Sequence, residues 1–170
     1  ADTNDPPTYA GLARLLPEDA LLVTSQLQRT HQTADAIKAA GLHLPEPHIE
    51  EDLAEQDFGD WQGRKRADVY AELDPKHMFW LAPANTRAPG GESFADLMAR
   101  VSGVIERLNT EHSGRDIVAV THGGTIRAAI GHALKLDPEA ALTCQVDNCS
   151  LTRIDHFGPS ESHPDGAWAI

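Results

Sequence analysis

Two short stretches, residues 20–24 (Ala-Leu-Leu-Val-Thr) and 117–121 (Ile-Val-Ala-Val-Thr), are apolar at successive positions instead of alternating with polar ones. Such a strand is covered on both faces, the condition of a parallel sheet. Each is followed by helix-forming sequence. Residues 27–40 carry Leu27, Ala34 and Ile37 and stop at Gly41, while 124–136 carry Ile126, Ala129, Ile130 and Leu134 ahead of Pro138. Between these strand–helix units, residues 93–108 place Phe94, Leu97, Met98, Val101, Val104, Ile105 and Leu108 on one stripe at spacings of three and four, which predicts an amphipathic helix. Ser93 and Asp96 mark its start as a capping box. A short helix is expected over 9–16, a late strand over 146–154 and an edge strand over 166–170. Residues 75–91 hold Met78, Phe79 and Trp80, then Pro83, Pro89 and two glycines, and read as an excursion over the end of the sheet. Strands alternating with helices predict an α/β fold, a three-layer αβα sandwich around a mostly parallel sheet. No repeat or linker divides residues 1–170, which read as a single domain.

Charge narrows the partners. With 14 Lys and Arg against 26 Asp and Glu, the formal charge is −12. A general nucleic-acid or anionic-membrane binder needs a basic field, so neither is expected. Any anionic substrate must be held by a local cluster of cations. Cys144 and Cys149 are the only cysteines, too few for a disulfide scaffold or a four-thiolate zinc site. His43 and His48, beside Glu46, Glu50 and Glu51, have no metal-ligand spacing, and no metal is expected. No apolar run approaches the roughly 20 residues of a membrane span, and the opening residues do not read as a signal peptide. A cytoplasmic protein is the expectation.

In open α/β sheets, ligands collect at the carboxyl ends of the strands. That rule brings Arg29, in the opening turn of the first long helix, toward His122, just past the second apolar strand. Gly123 and Gly124 let backbone N–H groups approach a ligand at a helix N-terminus, which attracts anions. Arg29 adds a planar fork of donors suited to phosphate oxygens. Together these point to a phosphate site. Blander readings stand beside it: Arg29 as a surface residue paired with Asp35 or Glu55, Glu55 as an ordinary solvated carboxylate, and His31 as a packed or solvent-facing helix residue. Met78, Phe79 and Trp80 form either a satellite core or the mouth of a pocket. Neither a Gly-x-Ser-x-Gly elbow nor a phosphate loop ending in Lys-Ser or Lys-Thr is present.

Four segments in order carry more than any one alone. They are 24–34 (Thr-Ser-Gln-Leu-Gln-Arg-Thr-His-Gln-Thr-Ala), 55–63 (Glu-Gln-Asp-Phe-Gly-Asp-Trp-Gln-Gly), 89–93 (Pro-Gly-Gly-Glu-Ser) and 120–124 (Val-Thr-His-Gly-Gly). This set resembles the histidine phosphatase superfamily, the group that includes the cofactor-dependent phosphoglycerate mutases, over residues 18–154. The resemblance implies a phosphoglycerate mutase-like fold and phosphoryl transfer through a phosphohistidine. It implies that Arg29 and His122, with the Gly123 backbone, grip the phosphoryl group. Glu55 is implied as general acid toward the leaving alcohol and then as base toward water. No cofactor is implied, and the partner is a small-molecule phosphate ester; a homodimer is left open. The Phe-Gly-Asp-Trp-Gln-Gly wording at 58–63 is similar to the short branch that holds α-ribazole phosphatase and broad-specificity phosphatases. A phosphoglycerate mutase is the alternative enzyme. Met78, Phe79 and Trp80 are expected to shape the pocket for the alcohol. The family's opening Arg-His-Gly strand, which carries the nucleophile, has no counterpart in residues 1–170. The domain is therefore expected to be incomplete at its N-terminus and the chain inactive by itself. A non-catalytic phosphate-binding protein is the remaining alternative.

Overall fold

The computed structural model describes residues 3–164 and 166–170. Its centre is a three-stranded parallel sheet in which β1 (Leu21–Thr24) lies between β2 (His48–Ile49) and β3 (Ile117–Val120). Helices cover both faces. On one face α1 (Pro6–Leu15) and α2 (Gln28–Ala39) pack with Leu22 and Val118 turned toward them. On the other, Val23 joins the core of α4 (Phe94–Glu111) and α5 (Gly123–Ala133). Leu22 and Val23 are both fully buried, as a strand covered on two sides requires. The expected αβα layering is the one observed. Two short helices, α3 (Arg66–Glu72) and α6 (Pro138–Ala141), complete the helical set.

Local chemistry sets the main boundaries. Asp5 caps α1 ahead of two prolines, and Gly41 turns the chain out of α2 at φ +110°. The capping box at α4 is complete: Ser93 Oγ accepts the Asp96 N–H, and the Asp96 carboxylate accepts the Ser93 N–H at 2.8 Å. The α4 stripe is buried at Phe94, Leu97, Val101, Val104 and Leu108, with Met98 and Ile105 at its margin.

One expectation is corrected here. The late strand does not lie at 146–154; it is β4 (Asp155–Phe157), and it pairs antiparallel with β5 (Ala167–Ala169) in a hairpin separate from the main sheet. Leu151 in the expected strand is exposed, because apolar content alone makes no ladder without a neighbouring strand. In α5 the buried positions are Gly124, Thr125, Ala128, Gly131 and Ala133, while Ile126 and Ile130 are half-buried and Leu134 is 50% exposed. Close approach is the reason. A Cβ on Gly131 would stand 2.8 Å from the Ala141 Cβ and 2.9 Å from the Met98 Cε, so small residues face the core where helices crowd. Helix α5 ends before Pro138, which with Asp137 as N-cap starts α6.

Register decides where chemistry collects. Thr24 pairs with Ile49 on one side and Val120 on the other, so the three strands end level. The chain segments that leave those ends are 25–29, 50–57 and 121–124.

Candidate active site

The segment after β1 turns tightly. Ser25 Oγ accepts the Leu27 N–H, and Thr30 Oγ1 donates to the Leu27 carbonyl at 2.8 Å, which sets the start of α2. Arg29 follows in the first helical turn. Its Nε donates to His122 Nδ1 at 3.0 Å. Because Nδ1 accepts, the ring proton sits on Nε2, which donates to Ser25 Oγ at 2.8 Å. The imidazole is thus held at both nitrogens, in one tautomer, at the N-terminus of α5.

His122 is only 6% exposed. Burial first, then the positive charges of Arg29 and Arg100, push its pKa down from the ordinary 6.5 to about 4. In the ligand-free protein the ring is therefore neutral at pH 7, and Arg29 carries the charge of the pair. A phosphate dianion at this point would reverse the balance by favouring the imidazolium. The depressed value has a consequence for stability. Above pH 6.5 the ring is neutral in both folded and unfolded chains and contributes nothing. As pH falls from 6.5 toward 4, the unfolded chain gains a proton that the folded chain does not. Stability on the order of 3 kcal/mol is expected to be lost across that window. Urea titrations from pH 7 to pH 4, comparing the wild type with His122→Asn, check this: the substituted protein should lack that part of the pH dependence.

Glu55 arrives from the segment after β2. Its carboxylate accepts the Gln56 N–H at 3.0 Å and the Gly124 N–H at 3.2 Å, so it lies on the same helix N-terminus as His122. A Cβ on Gly124 would fall 2.2 Å from Glu55 Oε1, so only glycine leaves room for this placement. The loop is also tied down from below: Thr121 Oγ1 donates to the Leu53 carbonyl at 2.7 Å and Thr125 Oγ1 to the Ala54 carbonyl at 2.9 Å.

Two cavities meet at Gln26, Ala54, Glu55 and Asp57. The larger, about 600 Å³, runs from Arg29 past Phe58, Trp61 and Trp80 to Arg64 and Arg66. The other, about 370 Å³, has Glu51, Asp52, Glu92 and Arg100 in its walls. Of the three residues expected at the alcohol pocket, Trp80 lines the larger cavity, while Met78 (81% exposed) and Phe79 (54%) point away from it. Trp80 is held by its indole N–H, which donates to Gln56 Oε1 at 2.8 Å, and by an edge contact with Phe94.

Some participants were not anticipated. Ser25 is one, and Arg127 is another. Its guanidinium stacks over Trp80 at 4.8 Å and donates to the Gly123 carbonyl, one helical turn back. Burial lowers the pKa of that guanidinium, and its Nε is buried without a partner. The i, i+4 spacing from Gly123 was the available signal. Among the described residues, no group of three His, Cys, Asp or Glu side chains is placed to hold a metal ion. None of their helices is long and apolar enough to cross a membrane.

The model of the histidine phosphatase superfamily (branch 1) matches residues 9–162. The chain belongs to the histidine phosphatase superfamily. Among its histidine phosphatase relatives and look-alikes, a Mycobacterium tuberculosis protein described as bifunctional is 32% identical over 145 residues, covering 84% of this chain and 39% of that protein. The chain thus spans about two fifths of the length of this relative. The adenosylcobalamin/alpha-ribazole phosphatase of Salmonella typhimurium is 31% identical over 149 residues, 87% of this chain and 72% of that one. A solved structure of mycobacterial glucosyl-3-phosphoglycerate phosphatase complexed with VO3 superimposes with a TM-score of 0.76 at 26% identity, over 96% of this chain and 81% of that chain.

Proposed function

We propose that this site hydrolyses small-molecule phosphate monoesters through a phosphohistidine. One observation carries the reading: Arg29, His122 and Glu55, from three separate segments, converge on the N-terminus of α5 beside a cavity large enough for an alcohol moiety. The Arg29 fork and the Gly123 N–H hold the phosphoryl oxygens, and His122 joins them as imidazolium once the bound dianion draws a proton onto Nδ1 in place of the bond from Arg29 Nε; there a loose transition state spreads its charge. Glu55 gives its proton to the leaving oxygen as the P–O bond breaks, then takes one from the water whose oxygen displaces phosphate from the histidine nitrogen. The attacking histidine is that of the family's Arg-His-Gly motif, which the resemblance puts at the same phosphoryl group as Arg29 and His122.

The charge distribution supports the leaving-group side. In a chain of formal charge −12, Arg29, Arg64 and Arg66 all line the larger cavity. Its aromatic walls favour a bulky alcohol, in keeping with relatives named for alpha-ribazole and glucosyl-3-phosphoglycerate substrates. Two free cysteines are in keeping with a cytoplasmic location.

The test uses the protein with all the sequence its gene encodes. With a chelator present, aryl phosphate should be hydrolysed, and quenching should trap a phosphoprotein that is stable to base and labile to acid. Hydrolysis without such an adduct, or binding of vanadate with no hydrolysis at all, would remove the phosphohistidine reading; the second outcome identifies a binding protein.

A further inference from the structure

The Glu55 loop is gripped from above by a pair of side chains to which the reaction gives no role. Arg100 projects from the second turn of α4, half-buried. Its Nε donates to Glu92 Oε2 at 3.1 Å and its Nη2 to Glu92 Oε1 at 2.6 Å, a two-pronged ion pair. The remaining donors all go to one stretch of backbone. Nη1 reaches the Asp52 carbonyl at 2.5 Å, and Nη2 reaches the Ala54 carbonyl at 3.0 Å and the Glu55 carbonyl at 3.2 Å. Glu92 completes the grip, because its Oε1 also accepts the Asp57 N–H at 2.9 Å. Its main chain adds two more bonds, accepting from Gln56 Nε2 at 3.0 Å and donating to the Asp57 carbonyl at 2.9 Å.

This is more than a helix needs from a surface ion pair. By contrast, the Arg107–Glu50 pair from the same helix ties no backbone by its guanidinium and is open to solvent at Arg107. The Arg100 fork instead satisfies the carbonyls of Asp52, Ala54 and Glu55, the last two standing on either side of the Glu55 Cα. The Thr121 and Thr125 hydroxyls hold the same loop from the α5 side, so the loop is clamped between two helices and the Glu55 carboxylate has one place to stand.

We infer that Arg100 and Glu92 are positioning residues for Glu55, setting the distance between its carboxyl and the leaving oxygen without touching substrate. The inference rests on the phosphatase reading for its catalytic meaning and on geometry alone for the clamp. Lysine at position 100 keeps the charge but has no fork, so it cannot hold Glu92 and the carbonyls together.

The experiment compares wild type, Arg100→Lys, Glu92→Gln and Arg107→Ala on an alkyl and an aryl phosphate. An alkoxide leaves only with a proton, whereas a nitrophenolate leaves without one. Arg100→Lys and Glu92→Gln should lose on the order of 100-fold in kcat/KM on the alkyl ester and several-fold at most in kcat/KM on the aryl ester, where a burst should mark slow hydrolysis of the phosphohistidine. Arg107→Ala should match wild type on both. Equal loss of kcat/KM on both esters, or no loss on the alkyl ester, overturns the inference. Amide hydrogen exchange separates this from failure of the phosphatase reading. Gln56, Asp57 and Gly124 should exchange at least tenfold faster in Arg100→Lys while the core of α4 keeps its protection. If wild type turns over neither ester, the phosphatase reading falls, and unchanged exchange at those three amides then removes the clamp as well.

Discussion

Arg29→Ala, made in the protein with all its encoded sequence, is expected to lower kcat/KM for phosphate monoesters by on the order of 10²–10³-fold, the loss typical of removing one donor that faces a developing oxyanion. The expectation has two physical parts. Arg29 is the cation bonded directly to His122, so its loss removes the guanidinium fork that faces the phosphoryl oxygens. It is also what keeps Nδ1 of that ring an acceptor, and without it the imidazole is held by Ser25 alone. Arg29→Lys should fare little better, since an ammonium has no second prong. Steady-state kinetics together with vanadate inhibition measure the effect. A variant that kept wild-type turnover and vanadate affinity would take Arg29 out of the site.

Glu55→Gln should cost on the order of 10²–10⁴-fold in kcat on alkyl phosphates, the range of a lost general acid. The change is nearly isosteric, so the loop and its Arg100 clamp should stay in place. The amide cannot give up a proton to an alkoxide, whereas an aryl leaving group departs without one. The loss on aryl phosphate should therefore be far smaller in the first step, and a burst should mark slow release of the second product. The same leaving-group contrast, in weaker form, is expected when the clamp is loosened. Uniform loss of kcat/KM across both ester classes, with no burst on the aryl ester, would mean that Glu55 binds and does not transfer protons.

The site was legible in the sequence as far as its residues sit at strand ends. His122 and Arg29 could be found because parallel strands of the same length end level, and the residues beyond Thr24 and Val120 must then be neighbours. Glu55 was reached only by likeness to a family, because β2 is two residues long and leaves no periodic signature. The excursion at 75–91 was recognised as irregular, yet which of its aromatics turned inward was not. Trp80 goes in because its N–H finds Gln56, while Met78 and Phe79 have no such partner in the cavity wall.

Hydrophobic periodicity and capping chemistry, read along the chain, determined strands β1 and β3, the amphipathic helix α4 and the end of the sheet at which anions gather. These follow from short-range rules, in which neighbours in sequence decide the outcome. Tertiary structure alone decided that the buried face of α5 is its small-residue face, that His122 is neutral and bonded at both nitrogens, and that Arg100 spends its donors on the Glu55 loop. Each of those depends on how near two distant segments come, and on how much water is excluded between them. Distances of that kind follow from packing and not from the local pattern.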